Sequence, residues 1–413
     1  HWQQMQYGAM RTAIGIQTLC PSWNTVPDYE SDNFLILDLP RMIEMDQDMA
    51  MVGEKSPAGA IFNRSSHTCE YSRISIPELN FCYISVRVEG DNVGSNSILI
   101  ENMLSVPVLV FALGIFAATF KSDVRLPEPV YQAISIFLLF GIGLKGGHSL
   151  KGVAISDFAM PAVTTVLIGA LIPFLAFYLL QLFTSFSRAD RGAIAAHYGS
   201  TSLVTFSAAM LFLENSGIFI EPYATALLTI MEIPGIIVGI YLGSRHAESL
   251  VHWGETLREV ITGKTISLLV GGLIVGFIAS DGGYQRVSPF FIDIQYGVLT
   301  LFLLHLGFVA GSNLNQIKSV GIQIGLFAII FPIAMGALGV AAGSAIGLSV
   351  GGATILGALS ASASYIAAPA AVSLGLPKAN GSLALISSIG LTFPFNLIIG
   401  IPLYLEIAQL LIG

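Results

Sequence analysis

From Leu104 onward the chain is a succession of long apolar runs separated by short polar breaks. A membrane-crossing helix needs roughly 20 mostly apolar residues. Ten runs approach that length: 104–120, 130–147, 160–183, 192–213, 222–243, 264–280, 290–310, 320–347, 351–374 and 381–412. The first is short, and the eighth and last are long enough to tilt or break. The pattern therefore predicts an all-α integral membrane protein of about ten transmembrane helices. Before Leu104 there is no comparable run, no basic-then-apolar signal pattern and no clear period. Residues 1–102 are accordingly expected to be an upstream extension outside the working fold, with Met103 marking its start. A transit or regulatory segment is the alternative.

Composition sharpens this reading. The chain is 54% hydrophobic and 11% charged, against about 25% charged in soluble domains, so its solvent is largely lipid. Residues 1–102 hold 6 Lys/Arg and 13 Asp/Glu, leaving 12 and 13 for the rest. The acidic balance thus belongs to the first segment and says little about partners. The chain has no basic patch with interleaved aromatics, which argues against nucleic acid. Cys20, Cys69 and Cys82 all precede the apolar runs, so the membrane part has no thiol for a disulfide, a metal or a nucleophile.

Positive charge sets orientation. Lys121, Arg125, Arg188, Arg191, Arg245, Arg258, Lys264, Lys318 and Lys378 fall in alternate loops, whereas the other side carries only Lys145, Lys151 and Arg286. Nine against three places the loop between the fifth and sixth helices in the cytoplasm, in a multi-pass protein of the plasma (inner) membrane.

An internal repeat organises the ten runs. Ile136-Phe-Leu-Leu139, leading to Gly146-Gly147-His148, is echoed by Leu301-Phe-Leu-Leu304, leading to Gly311-Ser312-Asn313. Gly192-Ala193 recurs as Gly352-Ala353, Ser200-Thr-Ser202 as Ser360-Ala-Ser362, and Pro234 as Pro394. Five helices per half is an odd number, so the halves must insert with opposite topology. This predicts a 5+5 inverted repeat, with a first half over 103–262 and a second over 263–413. In such transporters the binding site lies near the midplane, where equivalent broken helices meet.

The interruptions fall in the fourth and ninth helices. The fourth is broken by His197-Tyr-Gly-Ser-Thr-Ser202, and the ninth by Ser360-Ala-Ser-Ala-Ser364, with Pro369 following. A helix that resumes after a break points free N–H groups and about half a positive charge into the gap. That makes an anion site without Arg or Lys, and the expected substrate residues are Gly199, Ser200, Thr201, Ser202, Ser360, Ser362 and Ser364. Unwound carbonyls and hydroxyls suit Na⁺. The alternative is that these small residues merely pack helices together.

Glu232 sits near the middle of the fifth helix, two residues before Pro234. A central carboxylate costs roughly 2.5–3.5 kcal/mol on insertion scales and normally faces a cavity or partner. It is read as a sodium or proton site, against the alternative of a protonated Glu hydrogen-bonded to a neighbouring helix. Its repeat counterpart Thr392 lies near Asn396, and both offer neutral oxygens. The expected sodium set is therefore Glu232, Thr392, Asn396 and Ser364, with no catalytic residue and no other metal. His197 and His305 read as packing residues, and Lys145 as snorkelling to the interface.

Phe120-Lys-Ser-Asp-Val-Arg-Leu-Pro-Glu-Pro-Val130, Gly143-Leu-Lys-Gly-Gly147, His197-Tyr-Gly-Ser200, Met231-Glu-Ile-Pro234, Ser362-Ala-Ser-Tyr-Ile-Ala-Ala-Pro369 and Phe393-Pro-Phe-Asn396 together resemble the sodium-dependent bicarbonate transporter family (SbtA-type permeases), in its broad bacterial branch. The resemblance covers about three quarters of the chain, from Ser105 to the C-terminus. It implies ten helices in a core and a gate domain, a homotrimer, and Na⁺-coupled bicarbonate import with substrate held at 199–202 and 360–364. Tyr365 stands where cyanobacterial members carry an acid, and His305 where relatives often show a carboxylate. The short loop between helices five and six weakens any transfer of regulation by a PII-like partner protein.

The expectation is thus a sodium-coupled secondary transporter of a small anion in contact with membrane lipid, not an enzyme. The alternatives are the same fold carrying another small carboxylate and a membrane ion sensor that does not transport. An intramembrane enzyme would need a third group to orient Ser200 and His197, and the sequence supplies none.

Overall fold

In a computed structural model, the residues described are 69–76, 79–86, 100, 102–122, 124–245, 253–313 and 321–413. The chain divides into two compact units, His1–Asp91 and Asn92–Gly413. In the first, β1 (Cys69–Ile76) pairs antiparallel with β2 (Leu79–Val86), Cys69 opposite Val86. The sequence reading assigned no structure to this segment, so the hairpin is an addition to the all-α expectation. The rest of 1–68, including Cys20, lies outside the described residues.

The second unit is helical. Its elements are α1 (Val106–Thr119), α2 (Glu128–Ser149), α3 (Ile155–Phe183), α4 (Arg188–Gly199), α5 (Leu203–Asn215), α6 (Ala224–Ser244), α7 (Trp253–Thr262), α8 (Lys264–Ile278), α9 (Asp281–Ser312), α10 (Ile322–Ala345), α11 (Val350–Ser360), α12 (Ala367–Gly375) and α13 (Gly381–Ile412). Six helices among the described residues are long and apolar enough to cross a membrane, and the pair α7–α8, bent by 47°, makes a seventh. The fourth and ninth predicted helices are each two shorter helices, α4 and α5, and α11 and α12. The last is continuous but wound wide, with π-helical turns over Ile386–Thr392 and Asn396–Gly400.

Local chemistry fixes where the short helices start. Ser187 accepts from the Asp190 amide (3.1 Å) as N-cap of α4, and Ser349 accepts from the Gly352 amide (3.0 Å) as N-cap of α11. Such caps satisfy one of the four orphan amides of a first turn. Each start is also tied to the chain just ahead of another helix. Asp190 accepts from the Asn380 amide (2.7 Å), and Glu221 accepts from the Ser349 amide (2.6 Å).

Small residues decide which helices touch. Without a hydrophobic driving force in lipid, helices associate where glycine lets backbones approach. Gly307 and Gly311 of α9 meet the α1 backbone at Phe111 and Ile115, while Gly143 and Gly147 of α2 meet the α8 backbone at Leu269 and Leu273. In a second group, Gly192, Ala196 and Gly199 of α4 face Gly243, Gly239 and Gly235 of α6. There α3 and α10 pack on α4 and α11 respectively, and α13 packs on α10 and α11.

Candidate functional site

The two interruptions touch. The helix is interrupted at Ser200–Ser202, directly after Gly199, which is pressed against Gly235 and Pro173, and the Ser-Thr-Ser run offers side-chain oxygens in place of helix carbonyls. Ser202 caps α5 by accepting from the Thr205 amide (3.2 Å). Across the crossing, the Ser364 amide donates to the carbonyls of His197 (2.7 Å) and Ser200 (3.1 Å). In return the Ser202 amide donates to Ser362 Oγ (3.0 Å), which donates to the Leu359 carbonyl (2.8 Å). Ser202 and Ser362 are the residues that the repeat places opposite one another.

Four helix ends therefore meet inside the bundle: the C-termini of α4 and α11 and the N-termini of α5 and α12. Partial negative charge sits on the first pair and partial positive on the second. The first-turn amides of Leu203 and Val204 have no protein acceptor among the described residues. Ser200 Oγ, His197 Nε2 and Tyr365 OH are buried there without a partner among those residues. Buried polar groups are ordinarily satisfied, and the crossing gathers several donors and acceptors that are not.

Beside the crossing is a small cavity of about 10 Å³, lined by Thr201, Ser202, Leu203, Glu232, Thr265, Ser364, Tyr365 and Ile366. That volume admits the centre of about one water-sized body. Glu232 is 2% exposed. Its one hydrogen-bond partner among the described residues is Thr201 Oγ1, 3.3 Å from Oε2, and that hydroxyl also lies 3.4 Å from the Leu228 carbonyl. No Lys, Arg or His lies within 4.0 Å of it among the described residues. An uncompensated carboxylate in a protein interior is strongly unfavourable, and hydroxyl and carboxylate oxygens are the donors preferred by hard cations.

The other expected residues divide. Thr201, Ser202, Ser364 and Glu232 share the cavity, while Gly199, Ser200 and Ser362 stand at the crossing. Ser360 is turned back on its own helix, donating to the Leu356 carbonyl (2.7 Å). Thr392 and Asn396 are outside the cavity. The Thr392 hydroxyl donates to the Ala328 carbonyl (2.7 Å) and lies 2.7 Å from the Tyr198 hydroxyl. Asn396 donates to the Ala361 carbonyl (2.8 Å) and accepts from Tyr404 (2.9 Å). They tie α13 to α10 and to the second interruption.

Three further expectations can be placed. Lys145 pairs with Glu214 (2.8 Å) rather than standing alone at the interface. His305 accepts from the Leu126 amide (3.3 Å) and lies against Tyr131. Thr265 belongs to the cavity and was missed by the sequence reading, because a Thr in a first helical turn beside Lys264 carries no signal beyond a helix start.

No curated protein matches the chain at the level of sequence. The crossed interruptions and the buried carboxylate nevertheless lie wholly within residues 107–409, which match the family model described as the Na+-dependent bicarbonate transporter superfamily. The chain belongs to that superfamily.

Proposed function

We propose that this protein imports a small anion, bicarbonate foremost, together with Na⁺, by alternating access of a ten-span, 5+5 inverted repeat. The observation that carries the reading is the end-to-end meeting of two interrupted helices beside a lone buried carboxylate. The positive ends of α5 and α12 and the free Ser200 hydroxyl suit an oxyanion. The cavity at Glu232 suits one monovalent cation.

The packing supports the repeat. Exchanging the halves carries α1 onto α8 and α2 onto α9, so the contact of α1 with α9 becomes that of α8 with α2, and both contacts are extensive. Gly143 and Gly147 of α2 meet the α8 backbone as Gly307 and Gly311 of α9 meet that of α1, and the in-helix prolines Pro173 and Pro234 fall close to Pro332 and Pro394 at the repeat offset. In this reading α1, α2, α8 and α9 form the gate, and α3–α6 with α10–α13 form the core. The loop before α7 faces the cytoplasm, the membrane is the plasma membrane, and the assembly is a homotrimer as in the family it resembles. Regulation by a PII-like protein is not part of the proposal.

The test is uptake of ¹⁴C-bicarbonate into proteoliposomes with a Na⁺ gradient or with choline in its place, with formate and acetate as competitors. Uptake that needs Na⁺ and resists the competitors supports bicarbonate import. Competition by carboxylates reassigns the cargo, and a protein that shows no counterflow is a sensor rather than a carrier.

A further inference from the structure

The Glu232 cavity is not built from one group of helices. Thr201, Ser202 and Leu203 come from the first interruption and the start of α5, Glu232 from α6, and Ser364, Tyr365 and Ile366 from the second interruption. Thr265 alone comes from α8, which packs on α2. Thr265 is 5% exposed, and its hydroxyl makes no hydrogen bond among the described residues. Around a cavity of one-ion size, the wall therefore includes one hydroxyl borrowed from the other group of helices.

The borrowed residue sits at an elbow. Gly263, at φ −57° and ψ 150°, turns the chain between α7 and α8, and Thr265 follows two residues later. On the far side of the elbow α7 is anchored to the core. Val260 is buried and Trp253 half-buried against Ala193 and Ala196 of α4, Ile236 and Ile240 of α6, and Val372 of α12. Thr265 is thus held over Glu232 by the same contacts that hold the two groups of helices in their present arrangement.

We propose that Thr265 is a ligand residue for a monovalent cation bound at Glu232, and that the cation is enclosed only when α8 stands against the two interruptions as it does here. This rests on the transport reading above and adds the coupling to it. Any displacement of α8 relative to α6 withdraws the Thr265 oxygen and opens the cavity. A ligand stabilises the state that binds it better by its differential affinity, so bound Na⁺ favours this arrangement and its release favours the other. The neutral oxygens with a single carboxylate match one positive charge.

The test uses the full chain with Cys20→Ser, Cys69→Ser and Cys82→Ser, in which Thr265→Cys provides the sole thiol. In proteoliposomes, modification of Thr265→Cys by a small maleimide should be several-fold slower in Na⁺ than in choline. Thr265→Val, which keeps shape and loses the oxygen, should raise the Na⁺ concentration for half-maximal uptake roughly fivefold, the worth of about one hydrogen bond. Thr265→Ser should stay near wild type. Modification indifferent to Na⁺, or a Val variant as sensitive to Na⁺ as the Ser variant, would overturn the proposal. If the wild-type protein shows no Na⁺-dependent uptake, the transport reading falls. The labelling result still decides Thr265, since it requires only that the ion bind.

Discussion

Replacing Glu232 by Gln changes one charge and almost no volume. The wild-type carboxylate is 2% exposed and rests on a single 3.3 Å contact with Thr201. The cavity of about 10 Å³ has no room for a compensating shell of water. A charged partner contributes about 1.5–3 kcal/mol to an interaction where a neutral one contributes about 1. Loss of the charge should therefore raise the half-saturating Na⁺ concentration roughly 2- to 30-fold. Stability should move the other way. Without Na⁺, a buried amide costs less than an unpaired carboxylate, so Glu232→Gln should melt at or above the wild-type temperature in choline. In NaCl the wild type gains RT ln(1 + [Na⁺]/Kd) and the variant, with its larger Kd, gains less. The assay is thermal unfolding of purified protein in detergent across a NaCl series at constant ionic strength, with uptake measured in parallel. If Na⁺ stabilises the variant as much as the wild type, or if Na⁺-dependent uptake is unchanged, Glu232 is not the cation ligand.

Three further outcomes follow from the packing. A Cβ on Gly235 would overlap the Gly199 backbone, so Gly235→Ala should destabilise by about 1–3 kcal/mol or more, seen as loss of folded protein in detergent size-exclusion profiles. Ser362→Ala leaves the buried Ser202 amide without its 3.0 Å acceptor. A cost of about 1–3 kcal/mol should appear as a lower melting temperature and weaker anion binding, with Na⁺ affinity less affected. The Lys145–Glu214 pair is about a third exposed on both sides, so a double-mutant cycle with Lys145→Ala and Glu214→Ala should return a coupling of about 1 kcal/mol or less, with transport retained.

Hydropathy, the small-residue interruptions and the position of Glu232 were legible because each is a one-dimensional property. A run long enough to span lipid, a Ser-Thr-Ser break after Gly199, or a carboxylate in the middle of an apolar helix requires no knowledge of neighbours. The offset of 160 that sets Ser202 against Ser362 likewise survives in the chain order, and the structure joins those two residues by a hydrogen bond. Partner assignment did not survive. The helices of this chain are apolar on nearly every side, because lipid and protein interior reward the same residues. Periodicity therefore could not tell which face of α13 turns toward Glu232. Thr392 and Asn396 share a helix that the repeat equates with α6, yet the rotation and wide winding of α13 spend their side chains on Ala328 and Ala361. The same limit hid Thr265. Its role depends on an elbow at Gly263 and on the crossing of α8 over the two interruptions, and only the tertiary arrangement brings that hydroxyl to the carboxylate.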